Sequence, residues 1–140
     1  MTDDLTVLIV DDDFRIARLH EGIVEQAPGF RAVGTAGSVR AALAVLDTSR
    51  PDLVLLDAYL PDGSGIDLVR RIEPDVILVT AADDPATVRR ALRGGAVSYL
   101  VKPFAPELLT ARLAAYAAFR AGLASDRPLD QAGIDRAIHA

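Results

Sequence analysis

Five polar residues stand at the ends of apolar runs, and their types could do chemistry together. Asp11 and Asp12 follow LTVLIV, Asp57 follows LVLL, Thr80 follows VILV and Lys102 follows VSYLV. Three carboxylates gathered in one place repel one another, which forces a proton onto one of them or demands a cation. A hard divalent ion meets the second demand, and carboxylates, a backbone carbonyl and waters are the donors Mg²⁺ prefers. The carbonyl could come from Tyr59, two residues beyond Asp57. Lys102 is the single lysine among fifteen basic side chains. A compact ammonium ahead of Pro103 suits a need to reach a carboxylate or a phosphoryl oxygen. The Thr80 hydroxyl could donate a hydrogen bond to an oxygen held on Asp57. Each residue also has a plainer reading: Asp57 merely ends a strand, Thr80 is an ordinary β-branched strand residue, Lys102 is an incidental surface lysine, and the acidic triplet is solvated, with Asp13 capping a helix. Which reading holds depends on the elements that carry these residues.

Leu5 to Val10 is a strand-length apolar run. Phe14 to Gln26 then spaces Ile16, Leu19, Ile23 and Ala27 as one face of a helix. Pro28-Gly29 breaks it, Phe30 to Thr35 reads as a second strand, and Ser38 caps a helix with Val39, Ala42, Leu43 and Leu46 on one side. Asp52 to Asp57 is a third strand, wholly apolar up to its last carboxylate, as expected for a strand covered on both faces. After the Pro61-Asp62-Gly63 turn, Gly65 to Ile72 gives a short helix closed by Glu73-Pro74. Val76 to Thr80 is a fourth strand, and Asp84-Pro85 opens a helix that Gly94-Gly95 stops near Arg93. Val97 to Val101 is a fifth strand. Pro106 opens a last helix reaching about Leu123, with Leu109, Leu113, Tyr116 and Phe119 as an apolar stripe that reads as core.

Five strands alternating with five helices imply right-handed parallel crossovers and a doubly wound α/β sheet. A flavodoxin-like strand order of 2-1-3-4-5 would set strands one and three on either side of the switch point, where such sheets place their chemistry. The carboxyl ends of strands one, three, four and five then bring Asp11, Asp12, Asp57, Thr80 and Lys102 to one edge. Residues 1–124 are expected to form one domain. Residues 125–140 read as a linker and the start of a small helix at Asp130, opening an output region not contained here.

Composition narrows the classes. With 140 residues, 51% of them apolar, the chain can bury a full core, and with no cysteine it has no disulfide framework, thiolate zinc site or cysteine nucleophile. The first residues carry acids where a signal peptide needs bases, and no apolar run reaches membrane-span length, so a cytoplasmic protein is expected. Net charge is −5; residues 1–105 hold 11 basic and 16 acidic groups, and residues 106–140 hold 4 and 4. No basic stripe is present of the kind that binds a phosphate backbone, so direct contact with DNA is not expected.

Taken in order, VLIVDDD, LLDAYLPDGSG, VTAADD and YLVKPF resemble the receiver domain of two-component response regulators over about residues 5–124. The resemblance implies Asp11 and Asp12 as metal residues and Asp57 as phosphoacceptor and metal ligand, with the Tyr59 carbonyl and Mg²⁺. It implies Thr80 as switch hydroxyl, Lys102 as the cation that stabilises charge on the phosphoryl oxygens and Tyr99 as a rotating aromatic. The expected partner is a sensor histidine kinase. The expected function is signalling, with catalysis limited to the domain's own phosphorylation and dephosphorylation. Phosphorylation would repack the face made by helix four, strand five and helix five, for dimerisation or output. LPDGSGIDLVRRI and LDQAGID look most like the citrate- and dicarboxylate-responsive regulators, whose receiver precedes a helix-turn-helix DNA-binding domain. One departure is the short Asp57 to Thr80 interval, which trims helix three at the pole away from the site.

Three other readings fit less well. A haloacid dehalogenase-type phosphatase would use Asp11 and Asp13 but wants Thr or Val where Arg15 stands, and no cap insertion is present. A dinucleotide-binding module needs a glycine-rich first turn, and there is no glycine between Met1 and His20. A phosphorylation-independent interaction module would have no need of the full set of acids with Thr80 and Lys102.

Overall fold

The computed structural model describes residues 3–81 and 85–124. In chain order they form β1 (Leu5–Val10), α1 (Phe14–Gln26), β2 (Phe30–Ala36), α2 (Val39–Thr48) and β3 (Leu53–Asp57). α3 (Gly65–Val69), β4 (Asp75–Thr80), α4 (Pro85–Arg93), β5 (Ser98–Val101) and α5 (Pro106–Ala124) follow. A two-residue ribbon, Tyr59–Leu60 against Gly63–Ser64, closes the turn after β3. The five strands form one parallel sheet in the order 2-1-3-4-5, as the flavodoxin-like reading expects.

Strand side chains alternate between two cores, because successive residues of a strand point to opposite faces. Leu8, Val10, Val54, Leu56, Val76 and Leu78 pack under α2, α3 and α4, whereas Val7, Ile9, Leu53, Leu55, Ile77 and Val79 pack under α1 and α5. Both faces are therefore covered, which explains the unbroken apolar runs. Complete burial of a leucine such as Leu8, Leu56 or Leu78 contributes about 2 kcal/mol each.

Helix starts follow their caps. The Asp13 carboxylate accepts from the Arg15 N–H at 3.0 Å and the Ile16 N–H at 3.5 Å, and Ser38 Oγ accepts from the Ala41 N–H at 3.0 Å. A second cap of α2 comes from afar: the Asp62 carboxylate accepts from the Val39 N–H at 2.7 Å and the Arg40 N–H at 3.0 Å. These bonds hold its carboxyl below the usual carboxylate range and fasten the turn after β3 to α2. On α5, Leu109, Leu113 and Tyr116 are buried and Phe119 packs against them, so the stripe is core.

The helical face expected for α1 needs correction. Its buried residues are Ala17, His20 and Val24, while Leu19 is 58% exposed. Ile23 packs against the core and Ala27 is buried, as expected, but His20 takes the place of Leu19 on the face, and an apolar count passes over histidine. The short helix also ends earlier than Ile72: α3 stops at Val69 with Arg70 as its cap. Pro74 disfavours helical backbone at Glu73, and the chain must turn at once into β4, where the Asp75 N–H donates to the Asp52 carbonyl at 3.2 Å.

The end of α3 lies at the amino ends of the strands. There the Tyr116 hydroxyl donates to Asp75 Oδ2 at 2.7 Å, and Arg120 pairs with Asp52 at 3.3 Å, so α5 is fastened to β3 and β4. No described helix is long and apolar enough to cross a membrane. The expected linker and small helix at Asp130 lie outside the described residues.

Candidate functional site

β1 and β3 are neighbours, and their carboxyl ends deliver the acids. The Asp11 N–H donates to the Ala36 carbonyl at 2.9 Å, and the Ala58 N–H donates to the Val79 carbonyl at 3.0 Å, so backbone pairing fixes both strand ends. Asp11 is 3% and Asp57 6% exposed, while Asp12 faces solvent. One carboxylate oxygen from each of Asp11, Asp12 and Asp57 lies within 4.8 Å of the others.

Lys102 arrives from β5, its N–H donating to the Thr80 carbonyl at 2.7 Å. Its Nζ donates to Asp11 Oδ2 at 2.9 Å and to Asp57 Oδ2 at 3.4 Å. The other Asp11 oxygen accepts from the Asp13 N–H at 2.9 Å, and the other Asp57 oxygen from the Tyr59 N–H at 3.2 Å. The Asp12 carboxylate has no hydrogen bond or ion pair with a described residue. Thr80 is fully buried at the end of β4, one residue beyond Val79, which pairs with Asp57.

Burial pushes the Asp57 carboxyl above its ordinary range, against the Tyr59 N–H and the Lys102 charge that favour ionisation, and the like charge of Asp11 adds to the rise. For Lys102, burial pulls downward, but the hydrogen bond to Asp11 and the charges of Asp57 and Asp11 outweigh it and hold the ammonium above its ordinary range. Among the described residues, three carboxylates stand against one ammonium, a net excess of two negative charges. That balance and an all-oxygen donor set fit a hard divalent cation.

Several features escaped the sequence reading. A Cβ on Gly65 would overlap the Asp57 carbonyl oxygen, and the Gly65 N–H donates to the Ala58 carbonyl at 2.9 Å, so this glycine lets α3 start directly against the acid's backbone. His20 stacks on Phe104, two residues beyond Lys102, with ring centroids 5.2 Å apart. Burial lowers the His20 pKa, the Asp11 charge opposes that, and Lys102 adds to it. The Tyr59 hydroxyl lies 3.5 Å from Thr87 Oγ1, linking the loop after Asp57 to α4. The sequence motifs signalled the position of Gly65, but nothing local signalled the His20 stack. Tyr99 is 37% exposed on β5, beside Leu78 of β4.

Residues 7–114 match the family model described as response regulator receiver domain. The transcriptional regulatory protein CitT of Halalkalibacterium halodurans is 38% identical over 143 residues, covering 97% of this chain and 62% of that protein. The transcriptional regulatory protein DpiA of Escherichia coli (strain K12) is 37% identical over 145 residues, covering 100% of this chain and 64% of that protein. The chain thus spans about three fifths of the length of these curated relatives. Among solved structures, response regulator DrrB of Thermotoga maritima, an OmpR/PhoB homologue, superposes with a TM-score of 0.73 at 32% identity, covering 81% of this chain and 52% of that one.

Proposed function

The chain belongs to the response regulator receiver family, and from that membership we propose that it accepts a phosphoryl group from a phosphohistidine of a sensor histidine kinase onto Asp57. The observation that carries the reading is the Lys102 ammonium seated on both Asp11 and Asp57 while the Asp12 carboxylate has no partner among the described residues.

In this reaction an Asp57 carboxylate oxygen attacks phosphorus, the O–P bond forms as the N–P bond breaks, and the electron pair leaves with the imidazole nitrogen. Charge on the phosphoryl oxygens is what the site must stabilise. Lys102 supplies a preorganised positive charge within reach of Asp57. Mg²⁺, held by Asp11, Asp12, Asp57 and the Tyr59 carbonyl, would neutralise phosphoryl and carboxylate charge together. The Thr80 hydroxyl then donates to an oxygen of the phosphorylated Asp57, and Tyr99 turns inward from its exposed position. α4, β5 and α5 repack, with the Tyr59 to Thr87 contact as one link from the acceptor loop to α4.

The repacked face controls a transcriptional output region and favours a homodimer. DNA is contacted through that output region, expected to be helix-turn-helix, and the protein works in the cytoplasm as a signalling phosphoacceptor whose catalysis is confined to its own phosphorylation and dephosphorylation. Amide NMR with Mg²⁺ and beryllofluoride, a phosphoryl mimic, tests the switch. Shifts should spread from Asp57 through Thr80 to Tyr99 and α4 and vanish in Asp57→Asn; shifts confined to the acids would contradict the switching face.

A further inference from the structure

The lower half of the α4, β5 and α5 face holds a cavity of about 310 Å³. Ile77, Leu92, Val97, Ala115 and Phe119 make its walls apolar, and Arg112 of α5 stands among them. It is remote from the acids, because the β4–β5 register sets Ile77 beside Ser98, three residues short of the Thr80–Val101 strand ends.

Arg112 is half-buried and has no ion pair or hydrogen bond with any described residue; its Nε is wholly buried without an acceptor. A buried donor left unmade costs free energy, and such groups are rare in folded proteins. The contrast on the same helix is Arg120, which reaches the Tyr116 hydroxyl at 3.1 Å and Asp52 at 3.3 Å. α5 thus supplies one arginine with acceptors from the fold and leaves the other, which lines an apolar chamber, without one.

A guanidinium matches a carboxylate as a two-pronged fork, and the apolar walls select against a bare inorganic anion. The volume is at the lower end of small-molecule sites. We propose that this cavity binds a small amphipathic carboxylate, its apolar body between Leu92 and Phe119 and its carboxylate on Arg112.

The probe is 1-naphthoate, titrated into the ¹⁵N-labelled chain, with neutral 1-naphthamide as control. Saturable shifts are expected at the amides of Gly95, Ala96, Val97 and Ser98 and at the Arg112 Nε–H, with naphthamide at least about tenfold weaker. Arg112→Gln should weaken naphthoate by roughly the same tenfold and leave naphthamide unchanged. Ala115→Phe, which fills the chamber, should abolish both. Absence of saturable shifts up to about 5 mM, equal binding of acid and amide, or full naphthoate affinity in Arg112→Gln would overturn the proposal. So would concentration-dependent dimerisation in light scattering that shifts the same amides without ligand, since a second copy would then be the occupant.

Discussion

Lys102 Nζ lies closer to Asp11 Oδ2, at 2.9 Å, than to Asp57 Oδ2, at 3.4 Å. The single lysine is thus shared between two acids of the three-carboxylate cluster, and its ammonium occupies oxygens that a divalent cation also needs. Lys102→Met removes this competitor together with the charge proposed to stabilise the transferring group. Mg²⁺ should bind severalfold tighter, while the rate of phosphorylation by a small-molecule donor falls by about 100-fold or more. Calorimetric titration and a phosphorylation time course check the two halves, and an unchanged rate would remove Lys102 from the chemistry.

Asp57 gives a pH-dependent prediction in metal-free buffer. Its carboxyl is harder to ionise folded than unfolded, so its charge opposes folding at every pH above the raised folded value. The penalty fades as pH falls through that value towards the unfolded one near 4. Asp57→Asn should therefore be more stable than wild type at neutral pH. The two should converge below about pH 4. Urea unfolding across pH measures this. Adding Mg²⁺ should stabilise wild type by about 2.7 kcal/mol at a hundredfold excess over Kd, and Asp57→Asn by less.

Gly65→Ala places a methyl group on the Asp57 carbonyl, a backbone atom that cannot turn aside. A loss of about 2–3 kcal/mol in urea unfolding is expected, the scale of overpacking in a tight core. Phosphorylation of the folded fraction should slow as well, because relief of the overlap must displace β3 or α3 at the acid. Wild-type stability in Gly65→Ala would mean that the α3 start is softer than its contacts indicate.

The His20 stack on Phe104 clamps the segment just beyond Lys102 onto α1. His20→Ala should cost about 2 kcal/mol and slow phosphorylation, whereas His20→Phe should restore both by keeping a ring on Phe104. Because burial lowers the His20 pKa, the unfolded chain binds the proton more readily. The domain therefore loses stability as pH falls below about 6.5. That loss should be absent in His20→Phe, and its persistence there would assign it to another group.

The fold was legible because the strands are apolar on both faces and each helix has a cap or a breaker in the local sequence. Asp13, Ser38, Pro85 and Gly94-Gly95 each set a boundary that the structure repeats. The gathering of Asp11, Asp12, Asp57, Thr80 and Lys102 was legible for the same reason, since parallel strands bring their carboxyl ends together. Long-range side-chain relations were not. The Asp62 cap on α2 joins residues 23 apart, and His20 meets Phe104 across the fold. Leu19 misled the helical-face reading because periodicity counts apolar residues, and a buried histidine in the true face does not register.

Asp57 is proposed as a phosphoacceptor that works with a divalent ion. Intact mass of the purified chain after acetyl phosphate treatment, with and without Mg²⁺ and beside Asp57→Asn, tests it most directly. Wild type should gain one phosphoryl group only when Mg²⁺ is present, and Asp57→Asn should gain none. No gain in folded wild type with Mg²⁺ present, or an equal gain in Asp57→Asn, would contradict it.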